Sequence, residues 1–278
     1  NIFEKNHPNR YYDVGIAEQH ATTFASGLAK NGMKPYFAVY SSFLQRAYDQ
    51  IIHDVALQDL PVVLCLDRGG IVGEDGATHH GCYDMAVYRT IPGAVVAAPK
   101  DEIELKDMMY TAMLSDHGPF IIRYPRGNGE GTAWEDHEFA LMPEGKGEFL
   151  LEGTDVAVVG AGPVVNMALK AAFEMKADKG VNPSICNIRY IKPVDEEMLA
   201  EIARKHKVVI TVEDGTVVGG LHGVVAEYMS SLPVPVKVRA VGIPDEYISQ
   251  GSQEELREEC GLSKTDLLRV FTEEMQKI

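Results

Sequence analysis

The chain has 278 residues, 45% hydrophobic and 24% charged, with a formal net charge of -15. That composition supports a buried core in one large or two ordinary domains, and the acidic balance, with no Lys/Arg cluster to reverse it locally, argues against non-specific nucleic-acid binding. No apolar run approaches the roughly 20 residues that cross a bilayer, and nothing at the start has the pattern of a signal peptide.

An anionic ligand would therefore need individually placed arginines. The four cysteines, Cys65, Cys82, Cys186 and Cys260, show no CxxC spacing. Cys65 and Cys186 fall in apolar runs, as buried reduced thiols do, so the expectation is a cytoplasmic protein without disulfides. The opening segment NIFEKNHPNR runs without a Met into the first β-like stretch and reads as the middle of a longer polypeptide.

In chain order, a β-like run over Arg10–Val14 passes through Gly15 into a helix over 16–30. Strands follow at Tyr36–Tyr40, Val62–Leu66, Ala94–Ala98 and Phe120–Tyr124, with helices at 42–57 and 101–114 between them. From Gly127 to Phe149 the pattern lapses into Gly, Glu and polar residues. Alternation resumes with strands at Val156–Val159, Ser184–Arg189, Val208–Val212 and Val236–Val241 and helices near 164–178, 195–204, 219–231 and 264–276. This βαβ alternation predicts an α/β protein of two three-layer α/β/α domains with mostly parallel sheets. The expected division is 1–130, a linker at 131–150, and 151–278.

Ligands bind at the carboxyl ends of the strands in such sheets, and four unusual segments occupy those positions. In the first, VGIAEQH, Glu18 shares a helix face with Ala21, Thr22, Ala25 and Ala29. A carboxylate on a face built for close approach is placed for more than solubility. In the second, AVYSSFLQR, Ser42 and Gln45 suggest a capping box that puts Phe43 and Arg46 in the first turn of a helix. The third, LDRGGIVGEDGATHHG, lacks the Gly-Lys-Ser/Thr ending of a phosphate-binding P-loop. Its Asp75, His79 and His80 suit metal ligation or acid–base and hydrogen-bonding roles. The fourth is RYPRGNG. Later, VVGAGPVVNMAL lacks the third glycine of a dinucleotide-binding fingerprint, and TVEDGTVVGGLHG reads as a fold or subunit-contact element.

As an ordered set, YYDVGIAEQHA, YSSFLQRAYDQIIHDVALQDLPV, DRGGIVGEDGATHHG and IIRYPRGN resemble the 1-deoxy-D-xylulose-5-phosphate synthase family, in the transketolase superfamily. NIRYIKPVDEEML and TVEDG…GGLHG resemble the superfamily's C-terminal domain. The match covers the whole chain and corresponds to the C-terminal two-thirds of the family. The resemblance implies a transketolase-like pyrimidine-binding domain followed by a transketolase C-terminal domain. It implies thiamine diphosphate and Mg2+ as cofactors, with diphosphate and metal held by an N-terminal domain that this chain lacks, so that the chain alone would be inactive.

By the same resemblance, Glu18 hydrogen-bonds the aminopyrimidine N1′ of the cofactor, Phe43 stacks on that ring, and Ile16 completes the cofactor contacts. The small residues around Glu18 let the helix lie against the pocket. Pyruvate loses CO2 and its remaining two carbons join D-glyceraldehyde 3-phosphate, giving a precursor of isoprenoids, thiamine and pyridoxal. Arg46 and Arg126 bind the aldehyde's phosphate. Tyr40, Arg68, Asp75 and His79 surround the substrates, with His79 the proton donor or acceptor, and Arg123 and His80 are neighbours. The chain itself is expected to hold no metal, and the family suggests a homodimer. Another member of the superfamily, a transketolase half or a dehydrogenase E1 β-subunit, remains open, as does a non-catalytic dimerisation module.

Overall fold

The computed structural model describes residues 2–277. Its first half runs α1 (Ile2–Asn6), α2 (Glu18–Lys30), β1 (Tyr36–Tyr40), α3 (Ser41–Leu44), α4 (Tyr48–Gln50), β2 (Val63–Asp67), α5 (Asp84–Tyr88), β3 (Val95–Ala97), α6 (Glu102–Leu114) and β4 (Phe120–Arg123). The second half holds β5 (Glu148–Leu151), β6 (Ala157–Ala161), α7 (Val164–Lys179), β7 (Ser184–Asn187), β8 (Tyr190–Lys192), α8 (Glu196–Lys205), β9 (Val208–Thr216), α9 (Leu221–Ser231), β10 (Lys237–Ile243), α10 (Gln253–Glu259) and α11 (Lys264–Met275).

These strands form two five-stranded sheets, ordered β1-β2-β4-β3-β8 and β10-β9-β6-β7-β5. The pairs are parallel except at one edge of each sheet, where β8 and β5 run antiparallel. The central strands β3, β4, β6, β7 and β9 are buried along their whole length, as β-branched apolar runs covered on both faces must be. The expected α/β architecture is the observed one.

Three local expectations give way. Arg10–Val14 is not a strand: a 3-10 turn over Pro8–Arg10 leads into irregular backbone. There Asp13 Oδ1 accepts the Gly15 N–H at 2.9 Å, an Asx turn that steers the chain into α2 instead of into a sheet. The helix expected over 42–57 is a succession of α, 3-10 and π turns over 41–58, with Ile51, Ile52 and Val55 in the π segment. The Ser42–Gln45 capping box does not form. Tyr40 holds the N-cap position of α3 and the Ser42 hydroxyl is buried without a hydrogen-bond partner. The short elements β5, β8, α5 and α10 carry no pattern long enough to read in advance.

The small-residue face of α2 is buried as its spacing predicts, through Glu18, Ala21, Thr22, Ala25 and Ala29. What it meets is this chain's own helix: Ala25 and Ala29 share a core with Leu44, Ala47, Ile51 and Val55. Close approach therefore joins two helices and fixes the start of α2, which carries Glu18, against the segment that carries Phe43 and Arg46.

Candidate active site

Strands β1, β2 and β4 are neighbours and parallel, so their carboxyl ends deliver Tyr40, Arg68 and the 124–127 turn to one rim. The register puts Tyr40 beside Asp67 and Leu66 beside Arg123. The first turn of α2 reaches the same rim. Glu18 is only 9% exposed there, and Arg46 Nη1 donates to its Oε1 at 3.2 Å.

From that pair a continuous set of contacts crosses the rim. The Arg46 guanidinium carbon lies 5.1 Å from the centre of the Phe43 ring. Phe43 stacks on Tyr40 at 5.4 Å and meets the His79 ring edge-on at 5.2 Å. Arg68 lies over the opposite partner, 3.8 Å from the Tyr40 ring centre, while its Nη1 donates to Asp67 at 2.6 Å. Arg68 adopts a left-handed backbone, φ 60°, a conformation that non-glycine residues sustain only where the surroundings over-determine it.

The loop from Arg68 to Gly81 closes on itself through mutual Gly70–Gly81 backbone hydrogen bonds of 2.8 Å. His80 is inside it. The Val72 N–H donates to His80 Nδ1 at 3.1 Å, which makes Nε2 the protonated nitrogen, and that N–H points to the Ser249 carbonyl at 3.0 Å. Asp75 and His79 remain toward solvent. Arg126 Nη1 donates both to Asp75 Oδ2 at 3.0 Å and to the Val72 carbonyl at 2.9 Å.

Beneath the loop lies a buried charge cluster. Arg123 is 1% exposed; its Nε donates to Asp84 Oδ2 at 3.1 Å and its Nη2 to the Asp214 carbonyl at 2.8 Å. Asp84 also accepts from the Ser41 hydroxyl, and the Asp214 side chain accepts from the Ile71 N–H. Burial alone would lower the Arg123 pKa, but Asp84 and Asp214 outweigh it and push the value up. Burial raises the Asp214 carboxyl, with Arg123 and Arg257 opposing. The glycine pair Gly69-Gly70 exists for this cluster: a Cβ on Gly69 would stand 2.7 Å from Arg123 Nε, and one on Gly70 would collide with the Asp214 carboxylate.

The structure thus brings Glu18, Arg46, Phe43, Tyr40, Arg68 and His79 into one contact chain, and pairs Asp75 of the Arg68–Gly81 loop with Arg126 of the segment after β4. Ile16 stands apart at 95% exposure in the irregular segment before α2. Sequence reading missed Asp67, which binds its neighbour Arg68, and Asp84, Asp214 and Gln253, whose parts depend on partners far away in the chain and leave no local signature. Among the described residues no group of three or more His, Cys, Asp or Glu side chains is placed to hold a metal ion, and no helix is long and apolar enough to cross a membrane. All four cysteines are free, with Cys65, Cys82 and Cys186 buried; burial pushes the Cys65 thiol up to about 12.

The chain belongs to the transketolase family. The transketolase pyrimidine-binding domain matches residues 1–131 and the transketolase C-terminal domain residues 145–267. A split-gene transketolase, described as an inactive beta4 tetramer, superposes with a TM-score of 0.85 at 31% identity, covering 99% of this chain and 85% of that one. A Pichia stipitis transketolase shares the fold at 18% identity, with a TM-score of 0.74 over 93% of this chain and 37% of its own.

Among curated relatives, the Bacteroides thetaiotaomicron protein named 1-deoxy-D-xylulose-5-phosphate synthase is 47% identical, over 97% of this chain and 41% of its own length. The Azoarcus sp. protein of the same name is 49% identical, over 96% of this chain and 42% of its own. The chain therefore spans about two-fifths of the length of the synthases it matches, and not the two-thirds expected from its motifs.

Proposed function

We propose that this chain supplies the pyrimidine-binding and C-terminal parts of a thiamine-diphosphate transferase that makes 1-deoxy-D-xylulose 5-phosphate and CO2 from pyruvate and D-glyceraldehyde 3-phosphate. One observation carries the reading: the buried Glu18 carboxylate lies on the same rim as an aromatic face, Phe43, and within bonding distance of a guanidinium. A carboxylate beside an aromatic ring is the donor set an aminopyrimidine requires, one group for a ring nitrogen and one for the ring face. Ile16, exposed and two residues before Glu18, is assigned to the same ligand on the family resemblance. The residues present fit the organic part of the cofactor.

They do not fit the metal. In this proposal Mg2+ and the diphosphate belong to a further domain of the kind that the greater length of the relatives would accommodate, and this chain alone is inactive. The proposed division is 1–130, a linker at 131–150, and 151–278, in a cytoplasmic homodimer.

When bound, thiamine diphosphate supplies the carbanion chemistry that releases CO2 from pyruvate and joins the remaining carbons to the aldehyde. Glu18 holds the aminopyrimidine nitrogen and exchanges a proton with it; its burial strengthens that hydrogen bond. Phe43 fixes the ring plane. Arg126, already anchored to the Val72 carbonyl, and Arg46 offer the paired guanidinium donors that a phosphate monoester needs. His79 faces the space between Phe43 and the loop and moves a proton at the aldehyde oxygen. Tyr40 and Arg68, stacked on each other, flank that space, and Asp75 holds Arg126 at its solvent side.

The test is CO2 release from labelled pyruvate by the full enzyme with Mg2+ and thiamine diphosphate, with and without D-glyceraldehyde 3-phosphate. Release that depends on the aldehyde and disappears in Glu18→Ala is the expected result. Release indifferent to the aldehyde would move the protein to another branch of the superfamily.

A further inference from the structure

Three contacts from the second half hold the Arg68–Gly81 loop from behind. Asp214 accepts the Ile71 N–H at 3.2 Å, the Ser249 carbonyl accepts from His80, and the Gln253 amide reaches furthest into the site. Gln253 Nε2 donates to two carbonyls at once, Ile71 at 2.9 Å and Arg126 at 3.2 Å. Those carbonyls belong to different strand-end segments: Ile71 opens the loop that carries Asp75 and His79, and Arg126 follows β4. One NH2 group therefore ties together the two arms whose side chains meet again above, where Arg126 Nη1 binds Val72 and Asp75. The result is a closed ring, Gln253–Ile71–Val72–Arg126.

Packing alone does not hold this place. A cavity of about 380 Å³ between the halves is lined by Arg126, Gly127, Asp214, Gln253 and Arg257, so Arg126 borders open space on its inner side and the amide bridges it. The loop's glycines answer the same neighbour. A Cβ on Gly73 would lie 3.2 Å from the Gly251 carbonyl and 3.3 Å from Gln253 Cγ, and one on Gly76 would lie 3.3 Å from Gln250 Cβ. The loop is thus seated against residues 250–253, more than 170 positions away in sequence, and Gln253 opens α10, where the Ser252 capping box fixes it.

We propose that Gln253 is a positioning residue for the acceptor-phosphate end of the site: by tying the Ile71 and Arg126 carbonyls it sets the spacing between Arg126 and the Asp75–His79 arm. The inference rests on the function proposed above. Removing the two donated bonds lets Arg126 drift relative to the loop, which weakens a two-point grip on phosphate while leaving the pyruvate side, around Glu18 and Phe43, untouched.

The test compares wild type, Gln253→Met and Gln253→Glu in the active holoenzyme. Met keeps the length and removes the donor; Glu keeps the shape and sets a carboxylate against two carbonyls. The expected result is a KM for D-glyceraldehyde 3-phosphate raised about tenfold by Met and further by Glu. The KM for pyruvate and the thermal midpoint should stay near wild type. Equal changes in both KM values, or near-wild-type kinetics in Gln253→Glu, would overturn the assignment. Amide exchange provides a reading independent of the reaction: in Gln253→Met the amides of 71–76 and 126–128 should exchange faster while those of β2 and β4 do not. If wild-type turnover proves indifferent to the aldehyde, the proposed function fails and the exchange result alone decides the tether, unchanged exchange refuting it.

Discussion

Arg46 Nη1 stands 3.2 Å from Glu18 Oε1, so the guanidinium assigned to substrate phosphate is also the partner of the carboxylate assigned to the cofactor. The Arg46 side chain is 58% exposed and that of Glu18 10%. The flexible partner is the arginine, and it is the one able to leave when a phosphate arrives. Arg46→Lys keeps the charge but loses the planar fork. The expected outcome is a KM for D-glyceraldehyde 3-phosphate raised about tenfold with a smaller change in kcat, measured by steady-state kinetics with each substrate varied in turn.

Glu18 tolerates less. Glu18→Gln keeps the volume and the bond to Arg46 but removes the proton exchange with the ring nitrogen. Turnover should fall by roughly 10²–10⁴-fold, the range for a positioned acid–base group. Thermal stability should stay within a few degrees of wild type. Stopped-assay CO2 release and a melting curve on the same samples check both.

Arg123 is a stability residue of the site's floor. Arg123→Met leaves Asp84 buried without its cation and Asp214 with Arg257 alone, and breaking such a buried pair costs about 3–5 kcal/mol. Denaturant unfolding should show that loss, and adding Asp84→Asn should recover part of it. If Arg123→Met unfolds at the wild-type midpoint, the cluster is not what joins the two halves.

Glu213 gives a pH signature. It is fully buried, and its oxygens accept the Leu221 and His222 N–H groups at 2.7 and 2.8 Å at the start of α9. Burial pushes its carboxyl up to about 7, against a usual 4.5, although the two N–H donors work in the other direction. A raised folded-state pKa means that the native protein binds the proton more tightly than the unfolded chain does. The associated stability is therefore fully present below about 4.5 and is lost as pH rises toward and through about 7. The whole span is worth on the order of 3 kcal/mol. Glu213→Gln should flatten that decline, read from unfolding midpoints between pH 5 and 8.

Much of the fold was legible because the inner strands are continuous apolar runs bounded by Gly and Pro. Val63–Leu66 and Phe120–Ile122 announce themselves by composition alone. What did not show was decided by long-range contact. β8 is three residues long and is a strand only because β3 lies beside it. Ser42 looked like a helix cap, yet Tyr40 took the position. Of the site, Glu18 was marked by its small-residue face, while Phe43, Arg46, Arg68, Asp75, His79 and Arg126 drew meaning from the ordered motifs they sit in. Gln253 and Asp214 bond to residues more than 120 positions away, and no local periodicity encodes that.

The antiparallel strand β8 comes from the second half yet borders the first sheet, pairing Tyr190 with Ala97 and Lys192 with Val96. The halves are therefore interleaved and not strung end to end. A cut in the 131–150 segment would not yield two free modules: the first piece would present a raw β3 margin, open to mispairing with its own copies. The second piece carries the strip that covers it. Co-produced pieces should reassemble, each acting as the other's folding template, and the site's rim would form only after that reunion.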